Sequence, residues 1–168
     1  MGTENKADSE EGMRFISEKP IKNLVETFNE YCQRKYKYLG LSSFNDPQLP
    51  DLICSDSHTP ENFLALYAMS TECDLLEKLA ANPNTPIEVL AGLAFHYETS
   101  VRAKTASNAK ISITLSESLA IDESLPVRFA VASNPQSSGR ALKLLQTDLN
   151  KFVANRANMT AVEKYNRE

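Results

Sequence analysis

The sequence is poor in the residues from which catalytic sites are built. It holds no tryptophan, two histidines and five glycines among 168 residues. The glycines are too scattered for a phosphate-binding loop, and no GxGxxG, GxxxxGKS, HExxH or GxSxG motif occurs. The histidines, His58 and His96, have no serine, cysteine or aspartate partner at motif spacing. The sequence therefore predicts that the protein is not an enzyme.

Cysteine is also scarce, and its spacing excludes the common metal motifs. Cys32, Cys54 and Cys73 are widely separated and form no CxxC pair. We expect free thiols, no metal and no cofactor.

No apolar run approaches the ~20 residues that cross a bilayer, and the N-terminal segment MGTENKADSEEG lacks the apolar core of a signal peptide. These features predict a cytoplasmic protein that does not associate with membranes.

Neither sign of charge dominates the chain. There are 18 Lys and Arg residues against 22 Asp and Glu residues, which gives a net charge of −4. Such a balance provides no global attraction to nucleic acid or to anionic lipid, so only a local patch could bind either.

The chain divides into three parts by composition. Residues 1–13 are acidic and polar, and they are predicted to be a disordered tail because they cannot bury enough apolar surface. Residues 14–48 are predicted to form an N-terminal amphipathic helix and a loop. Apolar side chains recur there at three- and four-residue steps after Pro20, and Gly40 suits the end of a helix. Residues 49–168 carry a repeat.

The repeat has a period of about 26 residues, within the range of helical repeat proteins, and is marked by asparagine. Asn82, Asn108 and Asn134 recur with this period at the ends of the similar segments LLEKLAAN, VRAKTASN and VRFAVASN. In the earlier segment LPDLICSD, Asp56 takes the place of the asparagine. A polar start and an apolar helical face follow each landmark. Such a period indicates stacked helical units.

Each unit is predicted to contain two helices and an asparagine turn. In one unit Thr85 is the expected N-cap, with Pro86 at the first helical position and Glu88 completing a capping box. A second, shorter helix is expected to place Val101 and Thr105 on one face. The asparagine side chains are predicted to be structural, bonding nearby backbone groups as a ladder with one rung per unit.

These landmarks resemble the leucine-rich repeat variant family, a helical relative of the HEAT and armadillo repeats. The resemblance covers about residues 49–160 and implies an all-α fold with a right-handed α-solenoid (superhelix) of about four 26-residue two-helix repeats. It also implies a role in protein interaction. It rests on Val101-Arg102…Asn108, on Val127-Arg128…Asn134-Pro135, and on Asn82-Pro83…Thr85-Pro86…Leu90…Leu93-Ala94.

The sequence departs from that family pattern at three points. Ala109 rather than proline follows Asn108, and the cysteine cluster of the iron–sulfur module found in some relatives is missing. The last unit is predicted to be two to four residues short, which is typical of a capping repeat. Its expected anchor is one of Asn155, Arg156 and Asn158.

One column of the repeat is a candidate binding surface. Arg102 and Arg128 occupy equivalent positions, and two readings are open. They could form ion pairs between units, for instance Arg128 with Asp122 or Asp148. Alternatively, they could grip carboxylates or phosphates of a partner. The candidate partner-binding residues are Arg102, Lys104, Arg128 and Phe129.

The segment YCQRKYKYL, residues 31–39, is the other candidate. Its alternating basic and aromatic side chains are typical of surfaces that bind single-stranded nucleic acid. The same pattern also suits the last turn of a helix, where cations interact favourably with the helix dipole and tyrosines pack.

The leading functional hypothesis is a non-enzymatic module that binds a peptide or protein partner on the face of the solenoid. The alternative is a HEAT-like repeat protein that binds nucleic acid, which requires a continuous basic groove. A regulatory or accessory role is a third hypothesis. The sequence favours no particular oligomeric state.

Overall fold

A computed structural model describes residues 18–39 and 46–166, and all regular structure within these two ranges is helical. The predicted all-α class is therefore confirmed. The predicted disordered tail, residues 1–13, lies outside the described residues, and so do residues 40–45 of the predicted loop. In the described ranges, no helix combines the length and the apolar character that crossing a membrane requires.

The helices are labelled α1 to α10 in chain order. They are α1 (Glu18–Tyr36), α2 (Leu49–Ser55), α3 (Glu61–Leu64), α4 (Cys73–Ala81), α5 (Ile87–Leu93), α6 (Thr99–Ser107), α7 (Ile113–Leu119), α8 (Leu125–Ser133), α9 (Gly139–Leu145) and α10 (Lys151–Tyr165). Short 3-10 turns continue two of them, Lys37–Leu39 after α1 and Ala65–Tyr67 after α3. By its internal contacts, the chain forms two compact units, Met1–Leu49 and Pro50–Glu168.

In the smaller unit, α1 has one buried face. Phe28, Cys32 and Tyr36 are buried and follow each other at four-residue steps, so their side chains share one side of the helix. Arg34 and Lys35 lie in the last turn, where positive charge is favourable next to the helix C-terminus.

In the larger unit, the helices recur with the period of the sequence repeat. The first helices of successive units, α4, α6, α8 and α10, begin at Cys73, Thr99, Leu125 and Lys151; the second helices α5, α7 and α9 begin at Ile87, Ile113 and Gly139. The first helices pack in order, α4 against α6, α6 against α8, and α8 against α10. A first helix and the second helix that follows it form what we call a two-helix unit, and α2 with α3 makes the earliest one.

The relative lengths of the two helices reverse the prediction. The helix that carries Val101 was expected to be the shorter, but α6 has nine residues and α5 has seven. The first helix is longer because it fills the whole stretch between extended backbone at Glu98 and the turn at Asn108. Val101 and Thr105 are both fully buried, as predicted.

Equivalent positions of consecutive units build the core. Ala80, Ala106 and Ala132 are fully buried, and their small side chains allow neighbouring first helices to approach closely. Leucine fills another fully buried column at 64, 90 and 142, but Ser116 stands in that column between them. The Ser116 hydroxyl donates to the Ile113 carbonyl and accepts the backbone N–H of Ser138. A polar residue is thus accommodated in the core because both of its hydrogen-bonding roles are filled.

The predicted cap at Thr85 is wrong. Pro86 occupies the N-cap of α5, and no side chain caps this helix. The Thr85 hydroxyl instead donates to the Leu79 carbonyl in the last turn of α4. Proline has pre-set backbone angles and needs no N–H partner, so the threonine is free to satisfy the preceding helix. In the two following units, Ser112 and Ser138 do act as side-chain caps of α7 and α9.

Helix α10, which follows α4, α6 and α8 in the series of first helices, is longer than the nine residues of those three. It begins at Lys151, in register with the earlier units, so the prediction of a short last unit is wrong. The position equivalent to Asn134 is Thr160, inside the helix. No asparagine stands at this position to turn the chain as Asn108 and Asn134 do, and the helix continues to Tyr165. The three predicted anchors, Asn155, Arg156 and Asn158, all lie within α10.

Replacing Leu90 with alanine tests the core assignment. Leu90 is completely buried in the cluster that joins the α5, α7 and α8 layers. The loss of its side chain leaves a cavity, so we expect the free energy of unfolding to fall by about 2–5 kcal/mol. Urea denaturation followed by circular dichroism measures this change. Ile113→Ala, at a position 67% exposed, is the control and should change stability by no more than about 0.5 kcal/mol. Equal effects at both positions would contradict the core assignment.

Candidate partner-binding surface

The repeated asparagines join each unit to the one before it. The amide nitrogen of each donates to two backbone carbonyls at the end of the preceding first helix. Asn82 donates to Cys54 O (2.9 Å) and Asp56 O (2.9 Å), Asn108 to Ala80 O (2.6 Å) and Asn82 O (2.9 Å), and Asn134 to Ala106 O (2.8 Å) and Asn108 O (2.9 Å). The carbonyls of Cys54, Ala80 and Ala106 lie where a helix ends and no helical N–H can reach them, so the amides supply the donors that these groups lack. The other three carbonyls, those of Asp56, Asn82 and Asn108, also accept the backbone N–H three residues ahead.

The amide oxygens complete the same turns. Each Oδ1 accepts the N–H two residues ahead, as in the contact of 2.8 Å from Lys110 N to Asn108 Oδ1. Asp56 does this at the start of the series, where it accepts the His58 N–H at 2.9 Å. A carboxylate can accept the N–H in this turn, but it cannot donate to carbonyls of a preceding unit. Aspartate therefore suits the first position of the series, which has no preceding unit to bond. All three asparagines are buried, so this column serves the fold and offers no side chain to a partner.

A change of Asn108 to aspartate tests this ladder. The change keeps the accepting oxygen and replaces the donating amide with a carboxylate oxygen facing two carbonyls. We expect a loss of about 3–5 kcal/mol in the free energy of unfolding, because an unpaired charge is then buried. Asn62→Asp, on the exposed surface of α3, is the matched control and should cause no loss. The measurement is chemical denaturation at pH 7; a near-neutral Asn108→Asp variant would show that the amide donors contribute little.

Arg102 is held entirely within the chain. Its Nε and Nη2 donate to the two carboxylate oxygens of Asp122 at 2.8 and 3.0 Å. Its Nη1 donates to the carbonyls of His96 (2.8 Å) and Tyr97 (2.9 Å). The side chain is 9% exposed. Its contacts therefore bind one inter-helix loop to the loop of the next unit.

Arg128 repeats these contacts one unit later. Its Nε donates to Asp148 Oδ2 at 2.7 Å, and its Nη1 donates to the carbonyls of Asp122 (2.9 Å) and Glu123 (3.0 Å). The sequence offered Asp122 and Asp148 as ion-pair partners of Arg128, and the partner in the structure is Asp148. The geometry of both arginines favours ion pairs between units, and a direct contact of either with a partner stays a prediction.

The acids of these pairs are stabilised in their charged form. Burial raises the pKa of Asp122, but hydrogen bonds from Arg102 and the Ser124 N–H outweigh it, so that the pKa lies below its ordinary value. Hydrogen bonding by Arg128 lowers the pKa of Asp148 against the opposing effect of burial. Each pair therefore contributes stability when its aspartate is ionised.

The pair formed by Asp148 predicts a dependence of stability on pH. A lowered folded-state pKa gives stability that is fully present above the unfolded pKa of about 3.9 and is lost as the pH falls through the folded value. We expect Asp148→Asn to cost about 1.5–3 kcal/mol at pH 7. The gap between this variant and the wild type should narrow as the pH falls below about 4.

Urea titrations at a series of pH values measure that gap. Asp74→Asn, at an exposed position, is the control and should differ from the wild type by no more than about 1 kcal/mol at pH 7. A gap for Asp148→Asn that is constant with pH would contradict the ion-pair assignment.

The other two predicted residues are exposed. Lys104 lies on α6 and Phe129 on α8, where Phe129 is 40% exposed. Lys104 lines a shallow pocket of about 310 Å³ together with Asp74, Glu77 and Lys78 of α4. The structure thus brings Lys104 next to carboxylates of the preceding unit and does not join the four predicted residues into one exposed site.

A row of exposed apolar side chains was missed by the sequence reasoning. Met69, Phe95 and Ile121 follow the second helices of consecutive units at equivalent positions, and they are 91%, 73% and 71% exposed. We call these three residues the apolar row. Their common column is visible in the repeat, but the sequence does not show whether an apolar residue after a helix is packed or exposed.

Two grooves lie beside the apolar row. One, of about 570 Å³, is lined by Phe95, Tyr97 and Ser118 among others. The other, of about 490 Å³, is lined by Ile121, Leu144, Arg140 and Lys143, with Glu117 and Ala141. Ile121 and Leu144 in the second groove are the equivalents, one unit later, of Phe95 and Ser118 in the first. The second groove is the more apolar of the two, and its lining includes two cations and one carboxylate.

The histidines have local roles in the structure. The His96 Nδ1 accepts the Glu98 N–H at 3.1 Å, and His58 Nδ1 lies 3.3 Å from Asp56 Oδ1. Among residues 18–39 and 46–166, no group of three or more His, Cys, Asp or Glu side chains is placed to hold a metal ion.

Lys35 contacts two of the three tyrosines in residues 31–39. Its Nζ donates to the Tyr31 hydroxyl at 2.9 Å and lies 5.3 Å from the centre of that ring. It lies 5.9 Å from the ring of Tyr36, which is buried. These contacts favour the structural alternative for Tyr31 and Tyr36, whereas Tyr38 is exposed.

No protein-family model matches the chain, and comparison with curated proteins and with solved structures found no significant similarity. Membership of the leucine-rich repeat variant family stays a prediction that rests on the sequence motifs.

Proposed function

We propose that the protein is a non-enzymatic interaction module that binds a peptide or protein partner along the apolar row. We further propose that its larger unit is a right-handed α-solenoid of about four units, related to the leucine-rich repeat variants. The 26-residue recurrence of helices, of asparagine contacts and of ion pairs supports this architecture. The single observation that carries the functional proposal is the apolar row itself.

Exposure at equivalent positions is what makes the apolar row informative. Single exposed apolar residues are ordinary on protein surfaces, so the support for an interaction site is the recurrence of exposure at one position of the repeat. Met69, Phe95 and Ile121 stand at the same place in three consecutive units. A partner that lies across the units can therefore contact all three, and such extended surfaces are the ones that helical repeats use.

The ion pairs give the loops of the apolar row a fixed shape. Arg102 bonds the carbonyls of the two residues after Phe95, and Arg128 bonds those of the two residues after Ile121. Loops held in place before binding lose less conformational entropy when a partner arrives. We therefore assign Arg102 and Arg128 to positioning the surface, and Phe95 and Ile121 to contact with the partner.

The groove beside Ile121 suggests the chemistry of the partner. Ile121 and Leu144 supply apolar contact, and Lys143 supplies positive charge, while Arg140 lies beside Glu117. We propose a partner segment with apolar side chains and at least one carboxylate. A lysine near an apolar anchor favours such a segment by charge complementarity.

The structure gives little support to the nucleic-acid alternative, because several of its cations already have acidic neighbours. Arg102 and Arg128 pair with aspartates, Lys110 pairs with Glu61, and Arg140 lies 3.8 Å from Glu117. A continuous basic groove would need these groups to face phosphates instead. We expect no binding of a random oligonucleotide at low salt, and salt-dependent binding would contradict the proposal.

The partner surface is tested by capture from the native host with the double variant Phe95→Asp/Ile121→Asp. Both side chains are exposed, so the fold should persist, while two charges enter the apolar row. We expect at least about a ten-fold loss of the partner recovered by the wild type, because central apolar anchors carry most of the affinity of an interface. Quantitative mass spectrometry of the captured proteins provides the measurement.

Ile113→Asp is the matched control for that experiment. Ile113 is 67% exposed and begins α7, whereas Ile121 follows the end of the same helix. The control should retain the partner in full. A partner held equally by all three proteins would place the binding surface elsewhere, and a partner lost from the control as well would indicate non-specific adsorption.

A further inference from the structure

The two grooves beside the apolar row offer charges of opposite sign. We call the groove of about 570 Å³ that is lined by Phe95 and Tyr97 the aromatic groove, and the groove of about 490 Å³ that is lined by Ile121 and Leu144 the aliphatic groove. Phe95 and Ile121 occupy equivalent positions one unit apart. A segment that lies along the apolar row therefore meets both grooves in turn.

The aromatic groove has an excess of negative charge. Arg102 and Asp122 line it, but they neutralise each other in an ion pair of 2.8 Å. Glu123 also lines the groove, and its side chain is 90% exposed and lies 4.0 Å from Arg102 Nη2. Because Arg102 is already paired with Asp122, the Glu123 carboxylate determines the sign of this groove.

Two exposed aromatic rings lie in the same groove. Phe95 and Tyr97 are 73% and 74% exposed. The Tyr97 hydroxyl lies 3.3 Å from Cys73 Sγ, and the centre of the Tyr97 ring lies 4.4 Å from that of His96, so the ring has a fixed position. The faces of aromatic rings attract cations. An arginine side chain suits this groove best, because its flat guanidinium stacks on rings and also donates to a carboxylate.

The aliphatic groove has the opposite excess of charge. Arg140 Nη1 lies 3.8 Å from Glu117 Oε2, so the charges of these two residues offset each other. Lys143 is exposed and lines the groove together with Leu144. A carboxylate of a partner can therefore pair with Lys143 in this groove, whereas a cation would be repelled.

We propose that the partner segment carries charges of both signs, with an arginine side chain that binds in the aromatic groove and a carboxylate that binds in the aliphatic groove. The inference rests on the proposed function, because it takes the apolar row as the binding surface. Packed helices lie about 8–10 Å apart, and an extended segment covers about 3.3 Å per residue. We therefore expect about three residues between the arginine and the carboxylate.

Fluorescence anisotropy at low salt with three labelled hexapeptides tests this charge pattern. They are a bipolar peptide (Arg-Arg-Leu-Phe-Glu-Glu), a basic peptide (Arg-Arg-Leu-Phe-Arg-Arg) and an acidic peptide (Glu-Glu-Leu-Phe-Glu-Glu). We expect the full chain to bind the bipolar peptide at least about five-fold more tightly than either of the others, because each of those brings like charges together in one groove. Attraction to the net charge of −4 would instead favour the basic peptide.

Two charge reversals should change this preference. Glu123→Lys makes both grooves positive and should favour the acidic peptide, whereas Lys143→Glu makes both negative and should favour the basic peptide. Both side chains are exposed, so the fold should persist, and circular dichroism checks this. Glu88→Lys, at an exposed position in the first turn of α5, is the matched control for Glu123→Lys and should keep the preference for the bipolar peptide.

A wild type that binds none of the peptides, binds all three equally, or prefers the basic or the acidic one would overturn the inference. Reversals that leave the preference unchanged would do the same. The double variant Phe95→Asp/Ile121→Asp separates this failure from that of the proposed function. Equal binding of the three peptides that the double variant abolishes would remove the charge pattern and keep the apolar row. Binding that the double variant leaves intact would contradict the proposed function itself.

Discussion

The larger unit depends on the satisfaction of backbone carbonyls where its helices end. Every short helix leaves its last carbonyls without helical partners, and a stack of short helices buries many such ends. Here one asparagine amide per unit supplies a missing donor to the unit before it, as Asn108 does for the Ala80 carbonyl. The same amide makes a second bond to the carbonyl of Asn82, which also accepts a backbone N–H. A hydroxyl donates to a further carbonyl near the helix end, for example Ser137 to Val131. The alanines can then be fully buried beside the ladder, because no water is needed at these ends.

A second set of contacts determines the shape of the opposite loops. The arginine–aspartate pairs are separated by 20 residues and bind a loop of one unit to the loop of the next. The ladder therefore fixes the ends of the first helices, and the ion pairs fix the loops that follow the second helices. In the earlier unit His96 takes the position of the aspartate and Leu76 that of the arginine, so this ion pair is absent from that unit. The loop after α3 that carries Met69 thus lacks the ion pair that holds the loops carrying Phe95 and Ile121.

Much of the helical arrangement could be predicted because the residues that recur in each unit are of types with few structural roles. The asparagines at the 26-residue period, Asn82, Asn108 and Asn134, mark turns, and buried valine and alanine mark the packed face. The roles of Thr85 and Ile87 could not be read in the same way. A threonine before a proline can accept an N–H of the following helix or donate to a carbonyl of the preceding one. Here the nearby Leu79 carbonyl decides for the preceding helix. Ile87 begins its helix and is 44% exposed, although its spacing from Leu90 is that of a core face.

The candidate surface was harder to predict for a related reason. An arginine in a repeat column has the same appearance whether it binds an aspartate of the next unit or a partner, and the answer depends on a residue far along the chain. The apolar row was hidden because exposure is a property of the packed units. Phe95 and Leu93 are two residues apart and both apolar, yet one is 73% exposed and the other 4%. The spacing of residues in the sequence predicts the helices, but only their packing separates exposed residues from core residues.

The ladder also has a direction, since every amide donates toward the N-terminal side and none donates forward. Each rung requires only the carbonyls of its predecessor, so a whole two-helix unit could be removed or inserted between two rungs without leaving a donor unmatched. Unequal recombination within the gene would thereby generate shorter and longer proteins that still fold. Each such event would also remove or add a member of the apolar row. The length of this exposed apolar surface would therefore change in steps of one unit.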